Sequence, residues 1–144
     1  MKGWRKRHPP GATEQVARWT LDQPPQLRTL RTALQTAVRS RALPATVDVT
    51  DLLERLLIVA TELAGNALRH GQPPAVVALL QVDGQLIVDV ADRDPVGEPG
   101  VDEQRPAGAG GLGLPLAQRL AQDVGWYATE DGKHVWAAIA VVAA

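Results

Sequence analysis

Two polar residues four positions apart, Glu62 and Asn66, interrupt a run that is otherwise mostly apolar. Side chains at this spacing stack on one face of an α-helix, so a carboxylate and an amide would project side by side. Such a pair suits the binding of a metal ion and the orientation of a water or a hydroxyl. Pairs of this kind also occur on ordinary solvated helix surfaces, so the interpretation depends on the rest of the chain.

The run that carries this pair, residues 51–70, predicts a firmly packed helix. Its core-facing stripe consists of Leu53, Leu57, Ala60, Ala64 and Ala67, and its polar stripe adds Arg55, Ile58 and Arg69 to the pair. Thr50 or Asp51 is placed to cap the first turn. Gly71 follows the last residue, where a left-handed helix terminus is common.

Hydrophobic periodicity and turn residues predict the remaining elements. They are a strand at 14–21, a helix between Pro24-Pro25 and Pro44, a hairpin of 75–82 and 85–91, a helix at 112–123, and a hairpin of 124–130 and 134–142. The hairpins make the sheet mixed and mostly antiparallel, with helices on one face. We therefore expect an α+β fold, a two-layer α/β sandwich. Trp19, Trp126 and Trp136 are assigned to the core or to a sheet face rather than to ligand stacking.

Composition restricts the classes of function. The chain has 144 residues, which predicts a single domain at 14–144 preceded by a disordered basic arm at 1–13. A net charge of −1 argues against direct nucleic-acid binding. The chain has no cysteine and its three histidines are far apart, which makes a zinc site improbable. No apolar run approaches the ~18 residues of a membrane span, so we expect a cytoplasmic protein.

Two further segments after the helical pair carry chemistry. Asp92 ends a strand, where its carboxylate can accept a hydrogen bond from the exocyclic amine of a purine. The glycine-rich run 108–114 opens a helix, and backbone N–H groups at such a position can approach phosphates. Between these two segments, 92–110 form a loop rich in proline and glycine that could close over a nucleotide as a lid.

The glycine run matches G-x-G-x-x-G at Gly108, Gly110 and Gly113, but its context argues against a dinucleotide-binding fold. That fingerprint must follow a strand directly within a βαβ unit, and here it follows a long loop in the last third of the chain. A Walker-type loop is excluded because no Gly-Lys-Ser/Thr follows. Taken alone, the run would also fit a flexible loop that caps a helix.

In their order along the chain, these segments resemble the GHKL (Bergerat-fold) ATP-binding family. Residues 62–71 resemble its N box, 92–95 its first glycine box and 110–114 its second. Within that superfamily the chain resembles the anti-sigma-factor serine/threonine kinases, and in particular the small regulatory ATPases of actinobacteria, which share the Asn-Ala-x-Arg-His-Gly ending. Asp94-Pro95 stands where the usual first glycine box has a glycine. The resemblance covers roughly residues 14–142 and implies the Bergerat fold.

The resemblance implies ATP and Mg²⁺ as cofactors and assigns roles to individual residues. Asn66 would ligate Mg²⁺ and Glu62 would be the general base. Arg69 and His70 would lie near the phosphates or the lid, and Asp92 would bind the adenine amine. The other implied nucleotide-binding residues are Asp94, Gly108, Gly110, Gly111, Leu112, Gly113 and Leu114. A strand-end cap for Asp92 and a helix-end cap for His70 remain alternatives.

Three functions follow as expectations. The first is a serine/threonine protein kinase that transfers the γ-phosphate to a STAS-type antagonist of an anti-sigma factor and also binds a sigma factor. The second is an inactive ATP-fold module that sequesters a sigma factor or another regulator. The third is a free-standing ATP-binding half of a two-component kinase. The resemblance also leaves a homodimer open.

Overall fold

The helices and strands occur in the predicted order in a computed structural model, which describes residues 5–11, 14–41, 43–82, 84–94 and 113–141. The elements are β1 (Glu14–Leu21), α1 (Gln26–Arg39), α2 (Val49–His70), β2 (Ala75–Val82), β3 (Gln85–Asp92), α3 (Gly113–Leu120), β4 (Asp123–Thr129) and β5 (Gly132–Ala140). Several boundaries differ from the prediction by one to three residues: β3 includes Asp92, β5 begins at Gly132 rather than at position 134, and α3 ends at Leu120 rather than Asp123. The predicted α+β fold with an open sheet and helices is confirmed.

The five named strands form an antiparallel sheet in the order β1-β2-β3-β5-β4. The α3 crossover places β5 beside β3, so the second hairpin completes the sheet that the first begins. In this register Asp92 lies opposite Lys133 at one end of the β3–β5 pair. Opposed residues in an antiparallel pair share a face, so these two side chains point to the same side of the sheet.

The main core lies between the helices and one face of the sheet. Leu56, Val59 and Leu63 of α2 are buried, together with Val77 and Leu79 of β2. Trp126 also belongs to this core, as the sequence predicts for it. α2, with 22 residues, is the longest of the described helices, and none of them is both long and apolar enough to cross a bilayer.

The two ends of α2 differ from the prediction. Its N-cap is Asp48, whose side chain accepts a hydrogen bond from the Asp51 N–H at 3.0 Å. Thr50 and Asp51, the predicted caps, lie within the first turn. Gly71 at the C-terminal end has φ −91° and ψ −163°, so its conformation is extended and not left-handed. A glycine is required there because the carboxylate of Asp92 lies where a β-carbon would be.

The opposite face of the sheet carries a smaller core beneath the N-terminal segment. Trp136 is fully buried there, and its indole N–H donates to the Arg7 carbonyl at 2.9 Å. The Arg7 N–H donates to the Trp126 carbonyl and the Trp126 N–H donates to the Arg5 carbonyl, so this segment runs parallel to β4. Residues 5–7 of the arm therefore pair with the edge of the sheet, and the disorder expected of residues 1–13 stays a prediction.

Candidate functional site

Glu62 and Asn66 lie on the C-terminal half of α2, and both are half-buried. The Oδ1 atom of Asn66 is fully buried, yet within the described residues it accepts no hydrogen bond. Leaving a buried acceptor unsatisfied costs about 1–3 kcal/mol, so such an atom calls for an explanation. A ligand that uses this oxygen would provide one. Thr61 Oγ1 has the same property, and nothing in the structure explains it.

Asp92 lies at the end of β3, buried against the C-terminal end of α2. Its Oδ1 accepts a hydrogen bond from the Asp94 N–H at 2.7 Å, and the Gln72 N–H also donates to the carboxylate. The Arg93 N–H donates in turn to the Gln72 carbonyl at 2.8 Å. These bonds join the segment after α2 to the end of β3, and so they fix Asp92 relative to the helix that carries Asn66.

The absence of a side chain at Gly71 makes this arrangement possible. A β-carbon at Gly71 would overlap the carboxylate of Asp92 and would also lie 2.8 Å from the Ala67 carbonyl oxygen. Real β-carbons essentially never approach other atoms so closely, and the Gly71 φ angle itself is accessible to any residue. The glycine therefore supplies space, and this space lets the Asp92 carboxylate lie against the C-terminal end of α2, the helix that carries Asn66.

Lys133 is a residue of this region that sequence reasoning missed. Its Nζ lies 3.7 Å from Asp92 Oδ2, and the two side chains are only 10% and 3% exposed. The signal that could have found it is strand alternation, because Lys133, Val135 and Ala137 share a face and the latter two are apolar. A lysine on the core-facing side of a strand requires a partner.

Burial raises the pKa of the Asp92 carboxyl above its ordinary value. The hydrogen bonds from Asp94 and Gln72 and the positive charge of Lys133 oppose this effect, and the negative charge of Asp94 adds to it. The net direction shows that desolvation is the largest influence on this group. A further hydrogen-bond donor that reaches this carboxylate would therefore stabilise its charged form.

Arg69 and His70 occupy the last turn of α2, and both are exposed. The Arg69 guanidinium folds back over Gly65: its Nη1 lies 3.1 Å from the position of a β-carbon built there, near Leu27 of α1. Arg69 thus lies on the α1 side of the helix. Asp94 is half-buried, and its backbone N–H donates to Asp92. The predicted phosphate or nucleotide contacts of all three residues stay predictions.

The second glycine-rich segment is only partly described. Gly108, Gly110, Gly111 and Leu112 lie outside the described residues, as do positions 95–107 of the predicted lid. Gly113 and Leu114 form the start of α3, for which the backbone is described. α3 packs against α2 through residues that include the buried Ala117. The predicted roles of these six residues stay predictions.

The described side chains provide few ligands for a metal ion. Within the ranges given above, no three acidic or histidine residues cluster as a metal site would require. Mg²⁺ is commonly held by one or two protein oxygens, with substrate phosphates and water completing its shell. The unsatisfied Oδ1 of Asn66 fits that mode of binding, in which a nucleotide brings the metal with it. Asp92 offers a hydrogen-bond acceptor at the other end of the same region.

Comparisons with known proteins identify the family and support the fold. The family model of the histidine kinase-like ATPase domain matches residues 21–139, which include both α2 and Asp92. No curated protein matches the chain. The crystal structure of the RsbU and RsbW domains of Rv1364c from Mycobacterium tuberculosis is similar in fold, with a TM-score of 0.62 and 20% sequence identity. That match covers 87% of this chain and 31% of the other, so this chain spans under a third of that protein's length.

Proposed function

The chain belongs to the histidine kinase-like ATPase family, and from this premise we propose that it binds ATP with Mg²⁺ at the C-terminal end of α2 and phosphorylates a protein partner. The observation that supports this best is the buried, unsatisfied Oδ1 of Asn66 on the helix whose end is fixed to Asp92. An amide ligand and a base-recognising carboxylate at the two ends of one region are what a magnesium nucleotide needs.

Each described residue has a specific task in the proposed reaction. Asn66 Oδ1 would ligate Mg²⁺, which when bound supplies charge neutralisation for phosphoryl transfer. Asp92 would accept from the exocyclic amine of adenine, with the Asp94 N–H holding its other oxygen in place. Glu62, one turn before Asn66, would take the proton of an attacking hydroxyl. The hydroxyl oxygen then bonds to the γ-phosphorus while the bond between that phosphorus and the bridging oxygen breaks, and ADP leaves.

The partner that we propose is a STAS-type antagonist of an anti-sigma factor, phosphorylated on serine or threonine. The Asn-Ala-Leu-Arg-His-Gly ending at residues 66–71 supports this choice, since it resembles the actinobacterial regulatory ATPases. A sigma factor would be the second partner, held by the same domain. Both partners belong to the cytoplasm, where ATP is available, and we place the protein there.

A binding module without catalytic turnover is the second candidate function. It is favoured by Asp94-Pro95, which stands where the usual first glycine box has a glycine. The Asp94 N–H is already committed to Asp92, so this segment has a role in the fold of the protein without nucleotide. In this case ATP would bind, or the domain would hold its partner, without transfer of phosphate.

Calorimetry and phosphotransfer with matched variants separate these functions. Wild-type protein should bind ATP and ADP only with Mg²⁺ present, and Glu62→Gln should retain binding while losing transfer to the partner. Glu54→Gln is the matched control, because Glu54 is an exposed acid on the same helix. Absence of nucleotide binding under all conditions would refute the proposed function. Binding with no phosphate added to any STAS-type partner, by intact-mass analysis, would support the non-catalytic module.

A further inference from the structure

Lys133 and Asp92 form a buried cross-strand pair at the end of the sheet that faces the C-terminal end of α2. They are direct neighbours in the β3–β5 register, and both belong to the small group of buried charged residues among those described. Burying two charged side chains is costly unless their geometry satisfies both. At a separation of 3.7 Å, neither charged group satisfies the hydrogen-bonding capacity of the other.

The pair presents one acceptor and one donor side by side. Asp92 Oδ1 accepts from the Asp94 N–H, the Gln72 N–H also donates to the carboxylate, and Oδ2 faces Lys133. A carboxylate has about four acceptor positions, so two backbone donors leave it able to accept from a further group. The Nζ to Oδ2 distance of 3.7 Å is too long for a direct hydrogen bond, so Asp92 does not use the N–H donors of Lys133 in that way. An ammonium group carries three such donors and no acceptor.

An adjacent donor and acceptor are complementary to both common purines. Adenine presents a donor, its exocyclic amine, next to the ring nitrogen N1, an acceptor. Guanine presents the acceptor O6 next to the donor N1–H, so the same two kinds of group occur in reversed order. In the base orientation that places the adenine amine on Asp92, guanine would bring O6 close to the negative charge of the carboxylate. An ammonium beside the carboxylate would offset this repulsion by donating a hydrogen bond to O6.

We propose that Lys133 is a specificity-determining residue of the nucleotide site, which donates to the purine acceptor beside Asp92 Oδ2 and thereby admits guanine as well as adenine nucleotides. This inference rests on the proposed function, since it concerns the same site. Lys133 would contact the base directly, whereas a purely structural lysine would only neutralise Asp92. These two roles predict different effects on base preference.

The test compares the Kd values of ATP, GTP and ITP, each with Mg²⁺, by calorimetry on the full chain. We expect wild-type protein to bind GTP within about tenfold of ATP, and ITP similarly, because ITP keeps O6 and N1–H. Lys133→Met should weaken GTP and ITP by about tenfold or more, since a hydrogen bond to a charged group is lost. The same substitution should weaken the binding of ATP less than that of GTP and ITP. Lys133→Arg should retain the wild-type ratio of the Kd values for ATP and GTP, because it keeps a cationic donor.

Asp92→Asn is a second variant that keeps the shape of the side chain. Its amide can present either an oxygen or an N–H group, so we expect ATP to weaken more than GTP. If wild-type protein binds ATP but GTP more than about a hundredfold more weakly, or if Lys133→Met leaves the ratio of the two Kd values unchanged, the inference is wrong while ATP binding stands. If no nucleotide binds to wild-type protein, the proposed function fails and the inference with it. An unfolded Lys133→Met protein would leave Lys133→Arg and Asp92→Asn to decide between the two roles.

Discussion

The carboxylate of Asp92 occupies the space next to Gly71 that a β-carbon of any other residue would fill. This contact joins the helix α2 to the end of β3, the two segments that hold the proposed nucleotide site. Because the Gly71 backbone is extended, its conformation alone would accept other residues. A substitution of Gly71 consequently tests whether Asp92 must lie in this position, because it does not strain the backbone at Gly71.

Gly71→Ala should therefore displace Asp92 and weaken ATP binding at least about tenfold, with a loss of about 1–3 kcal/mol in the free energy of unfolding from overpacking. Calorimetry and urea unfolding measure the two effects. Gly65→Ala, within the helix that Gly71 follows, is the control, because its β-carbon meets the far end of the Arg69 side chain at 3.1 Å. There the better helix propensity of alanine, up to ~1 kcal/mol, should offset the contact. If Gly71→Ala and Gly65→Ala had equal effects on ATP binding and stability, Gly71 would not be the residue that makes space for Asp92.

Asn66→Ala should abolish Mg²⁺-dependent ATP binding without lowering the stability of the nucleotide-free protein. The reason is that Asn66 Oδ1 accepts no hydrogen bond from the described residues, so its removal deletes an unsatisfied buried acceptor. Thermal melts with and without ATP and Mg²⁺ test this, since a ligand raises Tm by mass action. A variant that melts several degrees lower without nucleotide would show that Asn66 has a structural role.

Asp92 should also influence how stability depends on pH. Burial raises its pKa in the folded state, so the folded protein holds this proton more tightly than the unfolded chain does. The contribution of Asp92 to the free energy of unfolding is therefore most favourable at low pH and falls as pH rises through the raised pKa. Relative to wild type, Asp92→Asn should gain stability as pH increases from below 3.8, the ordinary value, towards neutrality. Urea unfolding across this range would show a constant difference if the prediction is wrong.

Removal of residues 1–8 should destabilise the protein and expose tryptophan. The segment supplies the acceptor for the Trp136 indole and two backbone bonds to Trp126, and the Lys6 ammonium lies 5.6 Å from the Trp126 ring centre. We expect a loss of about 1–3 kcal/mol, as for a few hydrogen bonds and their packing, and a red shift of the fluorescence emission. A chain that begins at Arg5 is the control. Emission that is the same in both truncated proteins would count against this role.

The sequence predicted the order of the elements, the fold class and the family, all of which are confirmed. The reason is that α2 and the two hairpins have strong periodicity and unambiguous turns. The helix boundary at Asp48 was missed because Asp48, Thr50 and Asp51 are all competent caps, and the choice depends on where helical dihedral angles begin.

The candidate site was predictable only where a motif lies within one element. The i, i+4 relation of Glu62 and Asn66 follows from helix geometry. The contact of Gly71 with Asp92 and the pairing of Asp92 with Lys133 both depend on how distant segments meet, and no local pattern contains that information. The pairing of residues 5–7 with β4 was not predicted for the same reason, since their partners Trp126 and Trp136 lie more than a hundred residues later.

The parallel pairing of residues 5–7 with β4 also has a consequence for the behaviour of the protein in solution. Without it, β4 would be an edge strand with open N–H and C=O groups beside two large indoles. Exposed strand edges of this kind recruit other chains and promote aggregation. Residues 5–7 occupy the part of that edge beside Trp126 with backbone of the same chain, and the positive charges of Arg5 and Lys6 disfavour the approach of a second copy. We therefore expect this pairing to limit the association of copies through the edge of β4.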